Sequence, residues 1–346
     1  MTLGNFAERI FKRTYALDEH ETWEGCSRRV AKFVANGDLD LEEKFYDIIS
    51  TRKFIPGGRY LYSAGREIPA VNNCFMLRAE DSREGWADLI AKHMRLLSTG
   101  GGVGTYYNDI RAKGTPIKRF GGTASGPISL MRMVNEVARE VMAGGKRRSA
   151  LLASMDWTHP DVDEFITVKN WATDIKAMKE KDFNNPAPLD MMNISIWIDP
   201  TFIKMLKDKD KQTWAFYTKV IKNMAKTGEP GFLIKQKDDD NEVLTNPCGE
   251  TRSHLSGDVC NLGALVLPRI ADTNELEYVT RLATEFLYLG SIHGVVADKD
   301  CSKVRDKSRR IGLGIMGLHE WLLMNGLNYE PNGKLGKWLS VYSQVS

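Results

Sequence analysis

Long apolar runs are missing from this chain of 346 residues. No stretch approaches the roughly 18 apolar residues that cross a bilayer, which excludes a membrane-spanning helix and removes a membrane from the expected partners. The opening MTLGNFAERIFKRTYA lacks the apolar core of a secretory leader. It reads instead as an amphipathic helix with Phe6, Ile10 and Phe11 on one face. An excess of one charge is missing too. Lys and Arg number 48 against 45 Asp and Glu, a net charge of +3. So weak a field does not draw the surface to duplex nucleic acid, and nucleic acid is not an expected partner. Cysteine is scarce: Cys26, Cys74, Cys248, Cys260 and Cys301. An odd, widely spaced set excludes a secreted disulfide framework and points to a reducing cytoplasm, where a disulfide is catalytic rather than structural. Repeats and low-complexity tracts are absent.

What is present is ordinary globular composition, 42% apolar and 27% charged. The length suits two domains or one large barrel. Residues 1–55 read as a helical region, with helices expected over 22–35 and 41–53. From residue 56 to 346, short apolar runs alternate with amphipathic helices and glycine-rich turns, the texture of α/β architecture. Capping residues place several helices. Asp81-Ser82 opens one that runs to Ser98. Ser125 stands before Gly126-Pro127, which opens a second, ended by Gly144-Gly145. Thr158 stands before His159-Pro160 at a third, and Asp199-Pro200 opens a fourth. A long helix is expected over 274–295. Met192, Ile194, Ile196 and Ile198 alternate with Asn193, Ser195 and Trp197, a strand with one apolar and one more polar face. Such a strand suits a barrel whose interior holds a polar site. Residues 260–267 and 311–315 are shorter candidates.

Gly312-Leu313-Gly314-Ile315-Met316-Gly317 fits the dinucleotide fingerprint GxGxxG, which requires a buried strand before it. The preceding 306–310 stretch is polar and basic, so these glycines read better as close packing. The run GGGVG at 100–104 is either a helix stop or bare backbone for a ligand. GGKRR at 144–148 is either a solvated loop or a phosphate-holding one. Cys248, set in Asn246-Pro247-Cys248-Gly249-Glu250, sits in a tight turn rather than among packed apolar residues. Cys248, His254 and Cys260 give C-x5-H-x5-C, which departs from the close pairs of structural zinc sites. Asn72-Asn73-Cys74 puts a thiol at the mouth of a strand. Cys26 and Cys301 lie in polar helical stretches and read as incidental.

NPCGE, CNLGAL and RRIGLGIMGL, in that order, resemble the large catalytic subunit of ribonucleotide reductases. NNCF, GGGVG, DIRAKG, SGPISL, GGKRRSA and HPDVDEFITVKN fit the same family in the same order. The resemblance covers roughly residues 54–326. It implies an α/β fold, a ten-stranded barrel built from two five-stranded halves, with a finger loop carrying a radical cysteine. It implies reduction of a ribonucleotide substrate to the 2′-deoxyribonucleotide. Cys248 would be the thiyl radical that takes the 3′-hydrogen, Glu250 the base on the 3′-hydroxyl, and Asn246 a hydrogen-bonding partner of the ribose. Cys74 and Cys260 would be the reducing pair, restored by a thioredoxin-like or glutaredoxin-like reductant. Asn73 and Gly102 would line the ribose pocket. A nucleotide effector would meet Asp81 and Arg111, with Arg147 on the loop that relays its signal. Pro56-Gly57-Gly58-Arg59, and too short an N-terminus for an ATP-binding cone, resemble the adenosylcobalamin-dependent class. The alternatives are the class served by a separate radical-generating subunit, and a catalytically incomplete nucleotide-binding fragment. The resembled family continues through a second half of the barrel, so a truncated form or a split enzyme with a complementary C-terminal half chain is expected.

Overall fold

The structure is a computed structural model that describes residues 4–118, 121–141, 149–237 and 240–346. Among them run ten strands: β1 Phe54–Pro56, β2 Cys74–Arg78, β3 Gly102–Tyr106, β4 Leu151–Asp156, β5 Met192–Ile198, β6 Gly231–Ile234, β7 Leu244–Thr245, β8 Arg252–Ser253, β9 Asp258–Val266 and β10 Ile311–Met316. The chain divides into two compact units, residues 74–258 and the remainder.

The unit formed by 1–73 and 259–346 is mainly helical. Its helices include Asn5–Thr14, Trp23–Ala35, Leu39–Ser50 and Thr273–His293. The Thr22 hydroxyl caps the second of these, accepting from Gly25 N, and Asp38 caps the third. Phe286 anchors the core, with Phe45, Phe54 and Tyr60 at 5.3, 5.2 and 4.9 Å between ring centroids. Tilted and edge-on aromatic contacts of this kind add to simple area burial. Of the expected apolar face on the first helix, Phe11 is buried but Phe6 is 70% exposed, because that helix lies at the unit's margin. β9 pairs antiparallel with β1 and parallel with β10. The Gly312–Gly317 run packs closely, as its context suggested: a Cβ on Gly312 would stand 2.7 Å from Leu262 Cδ2, and one on Gly317 2.6 Å from Pro268 Cδ.

The unit formed by 74–258 is α/β. β2, β3, β4, β5 and β6 lie side by side in chain order, and every neighbouring pair is parallel. Parallel neighbours need crossovers, which are right-handed almost without exception. Sequential order therefore puts the connecting helices on one face, as in barrels, whereas a doubly wound sheet reverses its order midway. His93, on the Arg83–Ser98 helix, marks that face through its contact with Thr105 of β3.

Side-chain alternation assigns the opposite face. It carries Cys74, Met76 and Arg78 of β2, Gly102, Gly104 and Tyr106 of β3, Ser154 and Asp156 of β4, and Asn193, Ser195 and Trp197 of β5. This is the polar face expected for residues 192–198.

Helix boundaries move from their expected places, and the helix expected over 41–53 is Leu39–Ser50. The Pro127–Glu140 helix ends before the glycines expected to stop it, which lie outside the described residues. The third begins at Val162 rather than at Pro160, because a turn closed by His159 N on the Asp156 carbonyl precedes it.

Candidate active site

β7 and β8 form an antiparallel hairpin whose tip carries residues 246–251. The hairpin lies on the face opposite the helices, and glycine makes the contact possible. A Cβ on Gly104 would fall 1.9 Å from the Thr245 carbonyl oxygen, and one on Gly102 2.9 Å from Pro247 Cγ. The glycine run at 102–104 thus serves close approach of the chain's own backbone. The hairpin stem is held by a small apolar cluster of Met76, Tyr106, Trp197, Val243 and Leu244.

The tip is a compact turn. Gly249 N donates to the Asn246 carbonyl over 3.0 Å, and Gly249 takes φ +82°, a value costly for any residue with a Cβ. Asn246 is fully buried, and its side chain works in both directions. Nδ2 donates to Glu250 Oε1 over 2.6 Å, while Oδ1 accepts from Thr251 N over 3.3 Å. Cys248 projects from the turn and is the one exposed cysteine of the five. Partial desolvation, together with the Glu250 carboxylate, pushes its thiol above the usual range, so the S–H form dominates at neutral pH.

Cys74 opens β2 and is buried. It stands in register with Gly102, the residue over which Pro247 lies. The hairpin, Cys74 and Gly102 are therefore brought together within one unit. Cys260 and Asn73 belong to the other unit, where Asn73 N donates to the Cys260 carbonyl over 3.2 Å. Asn73 Oδ1 is buried without a partner, and its side chain fills the space above Gly57. An unsatisfied buried acceptor is the kind of group a ligand hydroxyl relieves. None of the five cysteines is in a disulfide. Among the described residues, no group of three His, Cys, Asp or Glu side chains could hold a metal ion.

The two residues expected at an effector also meet. Arg111 Nε donates to Asp81 Oδ2 over 2.7 Å, and both remain partly exposed. Arg147 lies outside the described residues.

Sequence reasoning missed a second polar group on the hairpin face, formed by Tyr106, Asp156, Trp197 and Lys235. The alternation along 192–198 put Trp197 on the polar face. The rest needed the strand register.

Sequential parallel strands under a cysteine-bearing hairpin define a barrel-type α/β domain joined to a helical one. Comparison with known families also divides the chain near residue 70, but places residues 259–335, which cluster with the helical unit, in its second part. Residues 1–69 match the family described as "Ribonucleotide reductase, all-alpha domain", and residues 72–227 and 215–335 match "Ribonucleotide reductase, barrel domain". The chain belongs to the ribonucleotide reductase large-subunit family.

Its relatives include the "Ribonucleoside-diphosphate reductase large chain" of Cryptosporidium parvum, 27% identical over 96% of this chain and 48% of that protein. The "Vitamin B12-dependent ribonucleoside-diphosphate reductase" of Mycobacterium tuberculosis is also 27% identical, over 92% of this chain and 46% of that protein. A "Putative adenosylcobalamin-dependent ribonucleoside-triphosphate reductase" of Mycobacterium phage D29 is 31% identical, over 72% of this chain and 42% of that protein. The chain spans about half the length of the curated relatives it matches. Among the described residues, no helix is long and apolar enough to cross a membrane.

Proposed function

We propose that this chain is the N-terminal catalytic portion of a ribonucleotide reductase and that Cys248 is its radical centre. The observation that carries the reading is the Asn246–Glu250 hydrogen bond, which closes a turn presenting an exposed thiol beside a carboxylate.

The chemistry follows from those groups. A thiyl radical at Cys248 Sγ takes the 3′-hydrogen atom of the ribose and becomes a thiol. Glu250 accepts the proton of the 3′-hydroxyl, which weakens the neighbouring C2′–OH bond. The 2′-hydroxyl leaves as water, using a proton from the Cys74 and Cys260 pair. Those two thiols supply two electrons and become a disulfide; one of their hydrogens leaves in the water, the other ends on C2′, and Glu250 returns its proton to the 3′-oxygen. A thioredoxin-like or glutaredoxin-like dithiol then reduces the disulfide by exchange. Cys248 then returns its hydrogen atom to C3′. Asn246 holds Glu250 in place and orients the ribose, with Asn73 and Gly102 lining the pocket.

A protonated, exposed thiol fits adenosylcobalamin as the initiating cofactor, since a hydrogen atom can leave only from S–H. When bound, that cofactor supplies a carbon radical by homolysis of its cobalt–carbon bond. The names of the relatives also support a second reading, in which a separate subunit generates the radical, because one of them is called simply a large chain. Dependence of turnover on added adenosylcobalamin separates the two.

The reading further includes a nucleotide effector at Asp81 and Arg111. In an enzyme with the complete barrel, Cys74→Ser or Cys260→Ser should leave 3′-hydrogen exchange intact while multiple turnover stops. Sustained turnover by either variant would contradict the assignment of the pair.

A further inference from the structure

The hairpin face holds a polar group that this reading does not use. Asp156 closes β4 and stands in register with Trp197 of β5. Parallel neighbours lie about 4.8 Å apart, so the two side chains leave the sheet together. Asp156 Oδ2 accepts from Lys235 Nζ over 2.7 Å, but Asp156 Oδ1 is buried with no partner. Trp197 is 1% exposed, and its Nε1 is also buried with no partner. An orphaned acceptor and an orphaned donor therefore occupy facing positions on adjacent strands.

Leaving each unmade costs about 1–3 kcal/mol, and buried polar groups are otherwise almost always paired. Two such defects side by side call for one occupant that satisfies both. The surroundings narrow its chemistry. Burial first, and then the charge of Asp156 and a hydrogen bond to that carboxylate, hold the Tyr106 phenol well above the ordinary range, so it stays protonated and its hydroxyl is already engaged with Asp156. The Arg252 guanidinium stacks 5.2 Å from the centre of the Trp197 ring and is paired with Asp240. Lys235 is neutralised by Asp156. With these cations already matched, an anion gains nothing, whereas a neutral O–H group can accept from Trp197 Nε1–H and donate to Asp156 Oδ1 at once.

We propose that Asp156 and Trp197 form a hydroxyl-binding site beneath the stem of the Cys248 hairpin. The O–H has two sources, an ordered water or a ribose hydroxyl of a bound nucleoside. Buried waters of this kind typically make two to four hydrogen bonds, and the site offers two directly, with the Tyr106 hydroxyl nearby.

The test is a crystal structure of the whole chain, alone and soaked with adenosine as the ribose probe. An oxygen within hydrogen-bond distance of both Asp156 Oδ1 and Trp197 Nε1 is expected in the unsoaked crystal. Its replacement by a ribose hydroxyl assigns the site to a nucleoside, and persistence of the water assigns it to water. No oxygen in either crystal, or a direct Trp197–Asp156 bond, overturns the proposal. As a second readout, the Trp197 indole N–H resonance is assigned by its loss in Trp197→Phe. It should show magnetisation transfer from a long-lived water or an adenosine-induced shift, and neither signal would contradict the site. If the nucleoside is the source, Trp197→Phe should weaken adenosine binding about fivefold, and unchanged affinity would rule that source out.

Discussion

A Cβ added to Gly104 would lie 1.9 Å from the carbonyl oxygen of Thr245, closer than any real contact allows. The cysteine hairpin can lie on β3 only because that strand is bare at this point. Gly104→Ala should therefore displace the hairpin stem rather than adjust a flexible side chain. Overpacking of this kind costs typically 1–3 kcal/mol. Thermal unfolding should record a loss in about that range, and the completed enzyme should lose most of its turnover. A variant with unchanged stability and activity would mean that the hairpin is not seated on Gly104.

The Cys248 thiol offers a pH test. Desolvation and the Glu250 carboxylate both hold its pKa above the ordinary value. Removing the carboxylate charge lowers the pKa and raises the thiolate fraction at a given pH. Alkylation by iodoacetamide should accordingly be slow at pH 8 and faster in Glu250→Gln. Mass mapping should place the adduct on Cys248, since the other four cysteines are buried. A slower reaction in Glu250→Gln would show that the carboxylate does not act on this thiol.

His93 makes the 74–258 unit acid-sensitive. Its Nδ1 donates to the Leu89 carbonyl at 2.8 Å, and its Nε2 faces the Thr105 hydroxyl at 3.1 Å, an arrangement suited to the neutral ring. Burial lowers its pKa to about 4. The unfolded chain takes up the proton near pH 6.5, and the folded chain resists until about pH 4. The stabilisation is therefore complete above about pH 6.5 and is lost as pH falls towards 4, amounting to roughly 3 kcal/mol. Denaturant titrations between pH 7 and pH 4 should show a steeper loss for the native chain than for His93→Gln. Parallel profiles would exclude His93 as the source.

Asp81 and Arg111 are expected to contact an effector, and they contact each other. Arg111→Ala should weaken binding of a deoxynucleoside triphosphate about tenfold, the loss of one charge-assisted contact. Thermal stability should change little, because exposed ion pairs contribute about 0–1 kcal/mol. Calorimetric titration of the two proteins gives the comparison, and equal affinities would remove Arg111 from the effector site.

Much of this was legible from local signals. Ser82 and Asp199 cap the helices they were expected to open, since a cap depends on a few adjacent residues. The alternation at 192–198 identified both faces of β5, because strand period is a local property. Asn246, Cys248 and Glu250 could be grouped because they fall within one turn. Less legible was what depends on register between distant segments. Asp156, Trp197 and Lys235 meet only through the alignment of β4, β5 and β6, and no spacing along the chain announces it. The Phe6 side chain failed the amphipathic reading because periodicity describes a face without saying whether anything covers it.

Loss of tritium from C3′ reports the central claim most directly. A ribonucleotide labelled with tritium at C3′ is incubated with the chain, a polypeptide carrying the remaining half of the barrel, and adenosylcobalamin. The native enzyme should release a fraction of the tritium to water, through exchange of the Cys248 S–H with solvent before the hydrogen returns to C3′, and Cys248→Ser should release none while still binding substrate. Release by the serine variant at the native rate would contradict Cys248 as the group that takes the 3′-hydrogen.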